Sequence, residues 1–284
     1  MNTVFEFIQD VFAEPFGFVL GGLYKLTDNY ILAIFLMTLL IKLCLLPFSV
    51  RQYGNIKKQN QLKPQVRKIN ERFKGNKKKI DEEVKALYKK EKVGSSNSGC
   101  LTSIIQIIVF IGLFGVINTP LSSILGFSQN TVKELSQAVA NIPNASEIQL
   151  LQNIEHYKDV VLNENIITEQ TFSEVITLKN NFHFITLDLS LTPQLNRFDV
   201  YWIIPISVFM INILSSLYAH IIRKRKHPGK KGFTAIEAVP FITPMITGLF
   251  SFLLPTGIGL YWIISSLLSL IQTVALNKIF KTDR

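Results

Sequence analysis

The sequence predicts an all-α polytopic membrane protein with five transmembrane helices, the N-terminus outside and the C-terminus in the cytoplasm. Three observations carry that prediction. First, 48% of the 284 residues are hydrophobic and mean hydropathy is +0.29. They gather into blocks of roughly 20 residues, the length that spans a bilayer core as a helix. Second, the 30 Lys and Arg residues are unevenly shared between the connecting segments. Third, every apolar block carries a polar stripe, and one block keeps a lysine.

The elements follow in chain order. Residues 1–29 read as an amphipathic helix in the outer interface, with Phe5, Ile8, Val11 and Phe12 at helical spacing and breaks expected at Pro15 and Gly21-Gly22. A sixth short span is the alternative for this segment, and it would reverse the N-terminus. A turn near Asp28-Asn29 leads into the first span, 30–50. Residues 51–99 form a basic cytoplasmic segment. Within it, Leu62, Val66, Ile69 and Phe73, then Ile80, Val84 and Leu87 beyond Gly75-Asn76, mark two amphipathic helices in a hairpin. The second span is 100–119. An extended acidic outer segment, 120–199, contains short surface helices in "TVKELSQAVANI" and "SEIQLLQNIEHYKDVVL". Spans three, four and five cover 200–222, 238–254 and 257–276, joined by a basic loop at 223–237 and followed by a cytoplasmic tail at 277–284. The short outer turn in "LLPTGIGLYW" predicts that spans four and five pack as an antiparallel pair.

Charge sets the orientation. Segments 51–98, 223–237 and 277–284 hold 24 Lys/Arg against 7 Asp/Glu, whereas 1–29 and 120–199 hold 5 against 13. The excess of Lys and Arg places the first group in the cytoplasm. The first turns carry Glu6 and Asp10 where a secretory signal needs basic residues, so no signal peptide is expected. Cys44 and Cys100 lie in or beside apolar spans and read as small buried hydrophobes, not a disulfide. His156 and His183 stand alone, without metal-ligand spacing.

Lys42 interrupts the first span about 12 Å from its cytoplasmic end at 1.5 Å per residue. A lysine at that depth costs about 2.5–3.5 kcal/mol on insertion scales. Thr38 lies one turn away on the same face. Span two opens with Thr102 and Ser103, with Gln106 a turn deeper. Span three carries Asn212, Ser215 and Ser216; span four Thr243, Thr247 and Ser251; span five Ser265, Ser269 and Gln272. Small hydroxyl residues are also ordinary packing glue between membrane helices. As a set, with a cation and no acidic residue inside any span, they point to a hydrated pocket of positive charge.

The stretches "LLIKLCLLPFSVRQYGNIKKQNQLKPQVRKINERFKG" and "ALYKKEKV", then "GCLTSIIQIIVFIGLFGVI" and "PTGIGLYWIISSLLSLIQ", resemble the YidC membrane-protein insertase family. The resemblance implies five helices around a hydrophilic groove open to cytoplasm and lipid but closed outside. Lys42 takes the place of the family's groove arginine, and Gln106 that of a second-span glutamine. The substrate groove would then be lined by Lys42, Thr38, Gln106, Thr102, Ser103, Asn212, Ser216, Thr247, Ser265 and Ser269. Three features depart from the family pattern. Lys replaces Arg, keeping charge but losing the planar fork; Thr102 and Ile108 stand where prolines are usual; and 120–199 is long for a five-span member.

By that resemblance the protein is a bacterial plasma-membrane insertase and chaperone, not an enzyme, with no cofactor and no metal. Its partners would be nascent membrane-protein clients, membrane lipids, the ribosome through the basic segments, and a translocation channel or a dedicated partner through the outer segment. Two other classes stay open: a non-translocating assembly scaffold, and an anion transporter or channel. No inverted repeat or second intramembrane charge supports the latter, and no nucleophile–base pair or paired carboxylates support an enzyme.

Overall fold

A computed structural model of the chain describes the backbone of residues 2–93, 98–139, 146–226 and 235–282, and the side chains of 15–93, 107–139, 146–222, 241–242 and 244–280. It is mostly helical. Its Cα framework divides into two compact units, residues 1–40 with 109–271, and residues 41–108 with 272–284.

The first helix, α1, runs unbroken from Asn2 to Thr27 through Pro15 and the Gly21-Gly22 pair, where the sequence had suggested interruptions. Gly21, with Gly17 a turn earlier, serves packing. A Cβ at Gly17 would sit 3.0 Å from that of Ser123, and one at Gly21 would sit 3.1 Å from the Ser123 carbonyl. Close approach to that neighbour offsets glycine's poor helix propensity. The helix ends at Asp28, whose φ of 47° is left-handed. The Asn29 side chain then accepts the Leu32 amide at 2.9 Å and caps the next helix.

That helix, α2, is continuous over 43 residues, Tyr30–Arg72, and contains Pro47 and Pro64. The change from apolar to basic composition near Arg51 is therefore not a helix boundary. Its first turns belong to the first unit, where Tyr30, Ala33, Ile34 and Met37 are buried. Cys44 corrects an expectation. It is exposed, not buried, which costs a small thiol little where the surroundings are hydrocarbon. Cys100 lies outside the described side chains.

In the second unit, α2 turns through 73–76 into α3, Lys77–Lys90, whose start is capped by the Asn76 side chain accepting the Lys79 amide at 3.1 Å. Leu62 is buried, and Val66, Ile69, Ile80, Val84 and Leu87 are half-buried. Tyr53 donates to the Asn277 side chain, Lys57 donates to the Phe280 carbonyl, and the Tyr53 and Phe280 rings lie 5.5 Å apart. The end of the last helix is thereby fixed to the middle of α2.

Helix α4, Ser98–Asn118, is followed by the short α5, Pro120–Ser123. The outer segment then folds into α6 (Gln129–Ala138), α7 (Glu147–Asn153), a 3-10 turn, α8 (Lys158–Asn163) and α9 (Glu169–Asn181). Each longer helix opens on a side-chain cap: Ser128 for α6, a Ser146/Gln149 capping box for α7, Thr168 for α9. These are not isolated surface helices. Leu135, Leu150, Leu151, Ile154, Val161, Val175 and Leu178 are fully buried or nearly so and make a core of their own. Full burial of one such side chain stabilises by about 1.5–3 kcal/mol.

A two-stranded antiparallel hairpin, β1 (His183–Phe184) with β2 (Leu187–Asp188), departs from the all-α expectation. It sits where the outer segment meets the membrane helices of the first unit. Phe182 stacks on Tyr30 at 4.1 Å, and Asn181 donates to the Tyr24 hydroxyl at 2.9 Å. The Ser190 hydroxyl accepts from Gln152 at 2.7 Å.

The chain then enters α10, Ile203–Lys226, through a turn capped by Asp199. Helix α11, Ala235–Phe250, and helix α12, Thr256–Thr282, complete the fold. The backbone amides of Thr256 and Gly257 donate to the Leu191 and Leu189 carbonyls at 2.8 Å each, so the hairpin segment satisfies the open end of α12. The short turn at 251–255 does not make α11 and α12 the main pair. The backbone of α11 runs closest along α10, where a Cβ at Gly248 would meet Phe209 at 3.2 Å. A tight turn constrains where the next helix starts, whereas small residues decide which neighbour a helix lies against.

Candidate functional site

Among the described residues, α2, the segment 200–222 and α12 are each long and apolar enough to cross a membrane, and 107–118 is a shorter apolar stretch of α4. The polar groups singled out by the sequence can be placed on these helices one at a time.

Thr38 is buried, and its hydroxyl donates to the Ile34 carbonyl one turn back at 2.6 Å. Thr247 does the same toward the Pro244 carbonyl at 3.3 Å, and Ser269 toward Ser265 at 2.7 Å. A hydroxyl that bonds back to its own helix lowers the cost of burying that polar group. That is how threonine and serine tolerate hydrocarbon. Ser265 is buried, and Ser216 is half-buried on α10.

Asn212 behaves differently. Its amide donates to the Val208 carbonyl at 2.8 Å, and its side-chain oxygen accepts from Ser266 of α12 at 3.2 Å. The structure thus joins α10 and α12 through a polar contact that the sequence reading half found. Asn212 was singled out; Ser266 was not, because the i, i+4 pattern selected Ser265 and Ser269. The adjacent serines at 265 and 266 were the available signal. Deeper packing of the same pair is tight, since a Cβ at Gly259 would lie 2.3 Å from Ile204 Cγ2.

Lys42 belongs to the second unit, on the continuous helix α2, one turn beyond Thr38. It is half-buried, with Leu43 and Leu46 exposed beside it. Thr102, Ser103 and Gln106 fall outside the described side chains, as does Thr243.

Electrostatics outside the spans centre on the outer segment. Glu147 is only 6% exposed. One of its carboxylate oxygens accepts the Ser122 amide at 2.8 Å, and the other accepts the Ser122 hydroxyl. Burial pushes its carboxyl above the usual range, and the bonds from Ser122 and the Leu121 backbone oppose that rise. At the surface, Lys179 holds Glu155 below the usual range through a 2.8 Å ion pair. The described residues contain no group of three potential metal ligands.

Long apolar helices, hydroxyls satisfied within them and a lysine along one of them define a polytopic α-helical membrane protein. The chain belongs to the 60Kd inner membrane protein family, the YidC/Oxa1 family, whose pattern matches residues 22–283. Among curated proteins it is similar to the membrane protein insertase YidC of Syntrophobacter fumaroxidans, 34% identical over 106 residues. It is also similar to the membrane protein insertase YidC of Francisella tularensis subsp. novicida, 37% identical over 106 residues. Each alignment covers 37% of this chain and 19% of the relative, so the chain spans about a fifth of the length of the relatives it matches.

Proposed function

We propose that this protein is a membrane-protein insertase of the bacterial plasma membrane. The observation that carries the reading is the family match across 22–283. In this reading the spans are 30–50, 100–119, 200–222, 238–254 and 257–276, with the N-terminus outside. Support comes from helices at each of these segments and from the bias of Lys and Arg. At 16 residues, α11 is about 24 Å long, which suits a locally thin bilayer.

No covalent chemistry is involved. A client's short outer segment enters a hydrophilic groove from the cytoplasm, and Lys42 attracts its carboxylates. Thr38, Thr102, Ser103, Gln106, Asn212, Ser216, Thr247, Ser265 and Ser269 provide polar lining that lowers the cost of passage. The client's apolar helix then moves into lipid. Transfer of roughly 20 apolar residues supplies several kcal/mol, enough to draw a short polar tail across. The basic segment 51–99 recruits clients or ribosomes by its charge.

The test is reconstitution of the full chain in vesicles with a single-span client bearing an acidic outer tail, read by protease protection of that tail. Protection by the wild type, retained in Lys42→Arg and reduced about tenfold in Lys42→Ala, is the expected outcome for loss of one desolvated charge contact. Equal activity of all three proteins removes Lys42 from the mechanism. No protection by the wild type overturns autonomous insertion and favours an assembly scaffold.

A further inference from the structure

The C-terminal half of α1 is apolar on two opposite faces. Leu20, Gly21 and Tyr24 point into the first unit and are buried. On the other side Phe18, Gly22, Lys25 and Leu26 follow i, i+4, i+7, i+8 and share one face. Phe18 is 84% and Leu26 82% exposed. Between them Gly22 leaves a notch, because a Cβ there would meet nothing within 4 Å.

This notch opens into a cavity of about 930 Å³ between α1 and the 119–129 segment, which continues directly from the end of α4. The cavity has two chemistries. Its α1 wall is apolar except for Lys25. Its other wall carries Thr119, Ser122, Ser123 and Gln129, and among the described residues Lys25 is the only charged one in the lining. Lys25 supplies the positive charge of the cavity, while the Ser122 amide and hydroxyl are already committed to Glu147. The rim hydroxyls of Thr119, Ser122 and Ser123 are bonded within the protein, so the slot offers a ligand an apolar wall and one cation, which matches an amphiphile with an acyl chain and an anionic head.

We infer that this cavity is a binding site for an anionic phospholipid of the surrounding bilayer, with an acyl chain in the Phe18–Gly22–Leu26 notch and the phosphate beside Lys25. The lipid would hold α1 to the end of α4 and fill a space that neither helix covers. The inference rests on α4 crossing the bilayer, as in the reading above, and is independent of insertion.

The experiment places the full chain in phosphatidylcholine nanodiscs carrying a trace of phosphatidylglycerol with a photoactivatable acyl chain. Crosslinked peptides are then mapped by mass spectrometry. The expected result is selective labelling of 17–26 and 119–129, several-fold above that from a matched phosphatidylcholine probe. Gly22→Trp fills the notch from an open helical position and should abolish the labelling. Lys25→Glu leaves the notch intact and should lower it about fivefold or more, the effect of a cation near an anionic lipid. Equal labelling by both probes, or labelling that survives Gly22→Trp, overturns the site. Labelling of 107–118 without the cavity also overturns the site but leaves the span standing. Absence of label from both segments overturns the site and leaves the span standing, since Val109, Leu113, Val116 and Ile117 of α4 are buried in the protein, out of reach of a lipid probe.

Discussion

Glu147 shows how one side chain can couple α7 to the short helix α5 that follows α4. Its oxygens take the amide and the hydroxyl of Ser122, so truncation leaves a part-buried donor unpaired. A lost acceptor of this kind costs about 1–3 kcal/mol. Glu147→Ala should therefore raise hydrogen exchange at the Ser122 amide about tenfold or more. Burial places the folded carboxyl above its ordinary 4.5, so the folded protein holds this proton more tightly than the unfolded chain. Its contribution is then greatest below 4.5, declines as pH rises through the raised folded value, and is flat above it. Corrected for intrinsic rates, Ser122 protection should fall across that window in the wild type and stay level in Glu147→Gln. A wild-type profile that rises with pH contradicts this sign.

At the scale of elements, the close crossing of α10 and α12 depends on a missing side chain. Ile204 Cγ2 occupies the place of a Gly259 Cβ, at 2.3 Å. Gly259→Ala should lower the thermal midpoint in detergent, as overpacking of a tight core costs about 1–3 kcal/mol. Ile204→Ala removes the obstructing methyl, so the double variant should recover more than half of that loss. Additive losses would show that the two positions do not share one contact. The sequence made the helical class, the Asp28-Asn29 break and the Gly75-Asn76 break readable, because chain direction changes there through turn chemistry. It did not reveal that α2 continues past Arg51, since a change from apolar to basic surroundings leaves the backbone hydrogen bonds intact. Nor did it reveal β1–β2, α9 or the outer core, whose short elements are fixed by contacts with Tyr24, Tyr30, Gln152 and Thr256. Among the site residues, Asn212 was legible as a polar group on an apolar helix. Its partner Ser266 was not, because helix rotation is decided by packing at positions such as Gly259.

For the whole molecule, the proposed orientation rests on charge, and the asymmetry is large: 24 Lys/Arg in segments 51–98, 223–237 and 277–284 against 5 in 1–29 and 120–199. Basic segments near span ends are retained on the cytoplasmic side, while acidic residues contribute little. The outer segment's packed core adds a second constraint. A folded helical unit tied to the ends of α1, α2 and α12 through Tyr24, Tyr30 and Thr256 belongs on one side of the bilayer as a block. Single cysteines at Glu164 and Lys78, both exposed, in a chain with Cys44 and Cys100 replaced, should separate the two sides in intact cells. A membrane-impermeant maleimide should label Glu164→Cys directly and Lys78→Cys only after permeabilisation. The opposite pattern reverses the orientation. Labelling of both from outside would instead place the basic hairpin and the outer core on the same face, so that α4 does not cross and the four remaining spans leave both termini on one side.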